Sequence, residues 1–284
     1  MEGKLWNALY QLVEQLHSGR RQKRQQYSDK TILMVYLWAV LHDRPVFWAC
    51  QCDNWHGMCP TSDPPSPATM SRRLRNESFA NLLNDLEKAY RQKFNQSLCK
   101  WIDAMPLPIG NSSGDPQAGY GRAANGKAKG YKFYAIYDPS GAVDAWRVCP
   151  MNVSEKKMSC RLVRDTSFEG YLVGDGEYDN NILYEMAGAR GIVLLAPKRK
   201  GKKLGHRRHS RHRLRSIELQ TRPFGKMLLH RRAGIDRFFG SWASWSSGIK
   251  HLPAWVRGLR RVRQWVQAKL IVLYAWRIKQ RLTA

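Results

Sequence analysis

Three aspartates carry the chemistry open to this sequence. Asp103 stands in KWIDAMPLP, Asp175 in GYLVGDGEYDNN and Asp236 in HRRAGIDRFFGSW, separated by 72 and 61 residues. Acidic residues are scarce, 22 Asp and Glu against 48 Lys and Arg, so their placement carries weight. A lone Asp at a strand end is usually a turn cap. Three gathered at one spot would repel and raise one another's pKa. Divalent cations remove that repulsion, and Mg²⁺ takes oxygen ligands while keeping positions for water and phosphate. Two such ions, roughly 3.5–4 Å apart, activate water and stabilise a leaving oxygen. The chemistry is phosphodiester cleavage, without a Ser, Cys or His nucleophile.

For these carboxylates to meet, Asp103 and Asp175 must end neighbouring strands, with Asp236 on a helix crossing the same sheet edge. Leu98 to Ala104 reads as a strand, ended by Pro106 and Pro108. Gly110 to Gly130 is Gly- and Ser-rich and reads as a loop. Tyr131–Tyr137 and Ala142–Cys149 read as a hairpin across the turn Asp138-Pro-Ser-Gly141. A helix over 154–168, a strand over 170–174, a helix over 179–189 capped by Asp179, and a strand over 191–196 follow. A hairpin followed by alternating helix and strand predicts an α/β fold, a mixed sheet with helices on its faces. Residues 228–282 read as helical, with Trp255, Leu259, Val262, Trp265 and Val266 as a packing stripe.

The first 96 residues read as helical: 4–16, a helix capped at Ser28 or Asp29 and running to Val40, 46–54, 68–75 and 78–96. Residues 57–67 form a turn. The 68–75 helix carries Arg72, Arg73 and Arg75, which suggests a helix-turn-helix unit whose last helix enters a major groove. The expected division is a helical DNA-binding region over 1–96 and a catalytic domain over 97–284. The latter includes a basic insertion at 197–220 and a helical C-terminal part.

Formal net charge is +26, an excess that a polyanion such as nucleic acid neutralises. Charge alone says nothing about catalysis. Residues 197–215 hold ten Lys or Arg, three His and no acid. They read as a flexible arm in which Lys198, Arg199, Lys200, Lys202, Lys203, Arg207 and Arg208 contact DNA phosphates. The six cysteines form no disulfide framework and read as reduced thiols. Cys50, Cys52, His56 and Cys59 lack the CxxC spacing of zinc sites. The amphipathic N-terminus is no signal peptide, and the longest apolar run, Ile32 to Leu41, is about half of a membrane span. A soluble, cytoplasmic protein without a membrane partner is expected.

The segments WIDAMPLPIG, GYKFYAIYD, GDGEYDNN, LLAPKRK and RRAGIDRFFG resemble the DDE-type transposases of bacterial insertion sequences, in the broad IS-four-like group. The resemblance runs from the helix-turn-helix-like start to near the C-terminus. It implies a ribonuclease-H-like catalytic domain that binds terminal inverted repeats and catalyses metal-dependent cleavage and strand transfer. It also implies two Mg²⁺ or Mn²⁺ ions, double-stranded DNA (transposon ends and target) as partner, a homodimer on DNA, and a bacterial cytosol or nucleoid. Asp103 would bridge both metals, Asp175 completing one site and Asp236 the other. The sequence departs from the pattern at the third acid, normally Glu. The shorter arm withdraws the carboxylate by about 1.5 Å. Arg232 fits the family's Arg position, whereas its Tyr and Lys positions hold Leu229 and Ala243. Glu177 is the substitute ligand, Glu218 reads as paired with nearby Arg, and Asp115, Asp138 and Asp144 as turn or strand-edge residues. Alternatives are an impaired or repurposed transposase that only binds DNA, and a nuclease of the same fold.

Overall fold

The computed structural model describes residues 2–16, 25–124, 126–198, 210–245, 247–249 and 251–283. The chain divides into two compact units.

The helical unit contains Met1–Lys93, Trp245–Ile249 and Pro253–Ala284. Its helices are α1 (Glu2–Gln15), α2 (Asp29–Leu41), α3 (Val46–Ala49), α4 (Pro67–Arg73), α5 (Glu77–Arg91) and the last, over Leu259–Thr283. Ser28 starts α2 as expected, its Oγ accepting from the Thr31 N–H at 3.1 Å. Ser66 caps α4 in the same way, with Pro67 in the first turn. Residues 32–41 of α2 are all buried, the pattern of a helix surrounded by others. The sequence places the C-terminal helix with the sheet, but it packs on α1, α2 and α5, through Val262, Trp265 and Val266 among others. Trp255 stands before this helix and is largely exposed, so it does not join the stripe.

The second unit, Phe94–Ser244 with Lys250–Leu252, is built on a six-stranded mixed sheet. Its strands are β1 (Cys99–Pro108), β2 (Gly119–Ala123), β3 (Gly126–Tyr137), β4 (Val143–Pro150), β5 (Gly170–Val173) and β6 (Ile192–Leu195). β3 lies antiparallel to β1, β2 and β4, and β5 lies parallel to β1 and β6. Helices α6 (Glu155–Asp165) and α7 (Asn181–Gly188) alternate with the parallel strands. Helices α8 (Arg211–Thr221), α9 (Pro223–His230) and α10 (Ala233–Ser244) follow, and the last helix above is α11. Antiparallel pairing of β1, β2 and β4 with β3, followed by parallel β5 and β6 and flanked by helices, gives the mixed α/β sheet that the sequence predicts. One core joins Ile102, Tyr134 and Ile136 of the sheet to Met158, Leu162, Leu183 and Tyr184 of α6 and α7.

Several local expectations are corrected. Pro106 does not end β1, which runs through it and ends at Pro108. β5 pairs with β1 only as far as Trp101, so the outer edge beyond it carries no strand ladder to interrupt. The Gly-rich stretch 110–130 is not all loop: 119–123 pairs with 126–130 as a hairpin, and cross-strand pairing overrides the low strand propensity of glycine. Residues 211–215 are helical rather than arm, because Ser210 caps α8 and Arg213 is buried. Asp179 is not the cap of α7, a role Asn180 takes through the Ile182 N–H. Instead Asp179 accepts two hydrogen bonds from Arg213, at 2.6 and 2.8 Å.

Candidate active site

β1 and β5 run parallel with Trp101 opposite Val173. Both chains advance together, so Asp103 and Asp175, two residues beyond that pair, arrive level at one edge of the sheet. Residue 174 must be glycine for this approach. A Cβ there would stand 3.0 Å from the Ile102 side chain and 2.8 Å from the Tyr178 ring. Asp175 then caps a short turn over Gly176–Tyr178, its Oδ1 accepting from the Glu177 N–H at 2.8 Å.

Alternation puts Trp101, Asp103 and Met105 on one face of β1, opposite Tyr137, Ala135 and Phe133 of β3. Aromatics on that face anchor α10. Phe238 stacks on Tyr137 at 4.1 Å, and Trp242 meets the Phe133 ring edge-on at 5.4 Å. At its start, Gly234 lies against Trp101, where a Cβ would fall 2.6 Å from the ring. Asp236 is therefore delivered in the first turn of α10 toward the face that bears Asp103.

Asp103 registers the convergence electrostatically. Burial pushes its carboxyl up to about 7; the Ala104 N–H, donating to Oδ1 at 2.7 Å, opposes this. The negative charges of Asp175 and Asp236 push it further up, and Arg232 pulls it down. Three of the sequence's other candidates, Asp175, Asp236 and Arg232, thus act on Asp103. Asp103 and Asp175 are half-buried and Asp236 is exposed. Among the described residues no three His, Cys, Asp or Glu side chains are drawn together as a ready metal site. The donor set nevertheless suits a hard cation: all ligands are carboxylate oxygens, and the central one is destabilised by two like charges that a cation would neutralise.

The remaining candidates are placed as follows. Glu177 lies exposed on the turn after Asp175. Arg72 and Arg75 are exposed, as is Lys198. Arg73 is buried, donating to the Tyr27 carbonyl at 3.0 Å and to Asp29 at 2.5 Å, so it holds the helical unit together and does not face solvent. Arg199, Lys200, Lys202, Lys203, Arg207 and Arg208 lie outside the described residues. Glu218 pairs with Arg222. Cys50, Cys52 and Cys59 are free thiols, as are the other three.

Two groups escaped sequence reasoning. Tyr178 is buried beside the acids. Burial, with the charges of Asp103, Glu155 and Asp175, raises its phenol well above the ordinary value. Its spacing three residues after Asp175 was the available signal. Lys100 is fully buried, 3.1 Å from Asp144 and 3.6 Å from Asp138. The signal was a lysine within an otherwise apolar strand.

No curated protein sequence matches the chain. A cryo-EM structure of a piggyBac transposase synaptic complex with hairpin DNA is similar at a TM-score of 0.47 and 9% identity, over 98% of this chain and 73% of that one. Residues 95–275, which span the sheet and all three aspartates, match the family described as Transposase DDE domain, and the chain belongs to that family.

Proposed function

We propose that this transposase binds DNA at terminal inverted repeats and catalyses divalent-metal-dependent cleavage and strand transfer at Asp103, Asp175 and Asp236. The observation that carries the reading is the charge coupling of Asp103 to both other acids across a shared sheet edge. By the resemblance, Asp103 would contribute to both cation positions, with Asp175 and Asp236 each completing one. When bound, such ions (Mg²⁺ or Mn²⁺, two by the resemblance) acidify water and neutralise charge on the phosphoryl oxygens. Arg232, close enough to act on Asp103, supplies positive charge for the substrate phosphate. Arg72, Arg75 and Lys198 are exposed cations suited to the phosphate backbone, and the basic run from Arg199 to Arg208 adds to them. A homodimer holding two DNA ends is part of the proposal. Among the described residues no helix is long and apolar enough to cross a membrane.

The test is cleavage by the full chain of a duplex carrying the element end and its flank, with Mg²⁺ or Mn²⁺. Asp103→Ala should abolish cutting and spare binding, and unchanged cutting overturns the assignment. A pre-cut end separates a transposase from a nuclease, since only the former joins it to target DNA. A second reading, a DNA-binding protein with impaired cutting, draws on the exposed Asp236 in place of the usual Glu.

A further inference from the structure

The helical unit contains a cavity of about 220 Å³ lined from α2, α3, α4 and the start of α11. Its lining combines aromatic and cationic side chains, and none of the lining residues is acidic. Phe47 and Trp255 line it while 57% and 41% exposed, so both rings are open to solvent at the cavity. Arg75, Arg260 and Arg261 also line it, all exposed. Arg260 is fixed in place by donation to the Leu74 carbonyl at 3.0 Å, and Gln264 donates to the same oxygen at 2.9 Å. Burial, followed by the like charges of Arg75 and Arg261, lowers the Arg260 pKa. The cluster is thus a concentration of positive charge that an anion would relieve. Trp265, 2% exposed, also lines the cavity.

We propose that this cavity is a nucleotide-binding site that takes one unpaired base of a DNA strand together with its flanking phosphate. The site rests on the reading of the chain as a DNA-binding transposase. A planar base presents two apolar faces to Phe47 and Trp255. The adjoining phosphate meets the three arginines. A lipid or apolar peptide would leave the arginine charge uncompensated, and a bare phosphate would leave the aromatic walls uncovered. The volume suits one ring system, not a length of duplex, so the occupant is a single nucleotide out of its stack.

The experiment compares binding of the full chain to two fluorescent duplexes of the same sequence, one fully paired and one with a single unpaired nucleotide. Fluorescence anisotropy gives both affinities. The unpaired nucleotide should bind about tenfold more tightly, the scale of one base stacked on aromatic side chains. Phe47→Ala and Trp255→Ala should erase that preference and leave affinity for the paired duplex unchanged. Trp255→Phe should keep it. Arg261→Gln should weaken binding of both duplexes and flatten the salt dependence. Both rings are exposed, so either alanine variant alone is informative if the other fails to fold. Equal affinity of the native chain for the two duplexes overturns the cavity assignment while leaving DNA binding intact. A preference that survives both alanine substitutions overturns it too. Absence of binding to either duplex overturns the cavity and the DNA-binding reading together.

Discussion

Asp103 and Asp175 stand level on adjacent parallel chains, each two residues beyond the paired positions Trp101 and Val173. One is an interior residue of the ten-residue β1 and the other caps the turn that follows β5, yet the charge of Asp175 acts on Asp103. Each has one oxygen tied to a local backbone N–H, which fixes its direction before any cation arrives. Both should therefore be needed for cutting. Asp103→Asn and Asp175→Asn are expected to lower cleavage by more than the roughly 100-fold that loss of a mere supporting residue costs at a metal site. DNA affinity should change little. Gel-based cleavage beside an anisotropy titration checks both parts, and a parallel loss of binding would count against a catalytic role.

Gly234 sets how closely α10 approaches Trp101, and with it where Asp236 falls. Gly234→Val adds a branched side chain where even a Cβ would lie 2.6 Å from the ring. The first turn of α10 must then lift from the sheet. The aromatic stack of Phe238 on Tyr137 should hold the rest of the helix. The expected result is a folded protein with cleavage reduced roughly 100-fold, the cost of displacing a reacting group by about 1 Å. Circular dichroism and a cleavage time course decide it.

Asp236 is the acid whose reach is shortest for its place. Asp236→Glu adds one methylene on an exposed position, so folding should be unaffected. Cleavage in single turnover should rise, by up to about 100-fold if the native carboxylate sits about 1 Å short. A fall in rate would show that the backbone of α10 has already compensated for the shorter side chain.

What the sequence made legible was local chemistry and order. Ser28 could be read as a cap because its hydroxyl satisfies an amide three residues on, a purely local matter. The alternation around Tyr131–Tyr137 and the turn at Asp138 gave the hairpin for the same reason. Pro106 and the glycines of 119–130 misled, since whether a strand tolerates them depends on which neighbour lies beyond. Arg73 and Arg213 are basic residues in basic stretches, and nothing local distinguishes them from phosphate contacts. Only their partners, Asp29 and Asp179, remote in sequence, reveal them as internal struts. The acids were legible as three contexts. Their meeting at one sheet edge was an expectation of strand-end logic, but the strand register and the close packing that Gly174 and Gly234 allow were not legible, because they depend on residues remote in sequence.

Asp138 and Lys100 make the acid stability of the sheet unit testable. Burial alone would raise the Asp138 pKa, but hydrogen bonds from the Ser97 and Ser140 N–H groups and hydroxyls outweigh it, and the pKa is lowered. Lys100, itself fully buried, stands between Asp138 and Asp144 and donates to Gln96 at 2.6 Å. A carboxylate with a depressed folded pKa stabilises fully above its unfolded value, about 3.9, and loses that contribution as pH falls through the folded value. Urea unfolding followed by circular dichroism should thus show a midpoint that falls below pH 4; between pH 7 and 4 the raised Asp103 carboxyl acts in the opposite sense, and its proton uptake in the folded state lifts the midpoint as pH falls. Asp138→Ala leaves part of the buried lysine charge uncompensated and should cost about 3 kcal/mol at pH 7. In that variant the fall below pH 4 should be shallower, because the group responsible is gone. An equally steep fall in native and variant proteins would assign the acid sensitivity to other carboxylates.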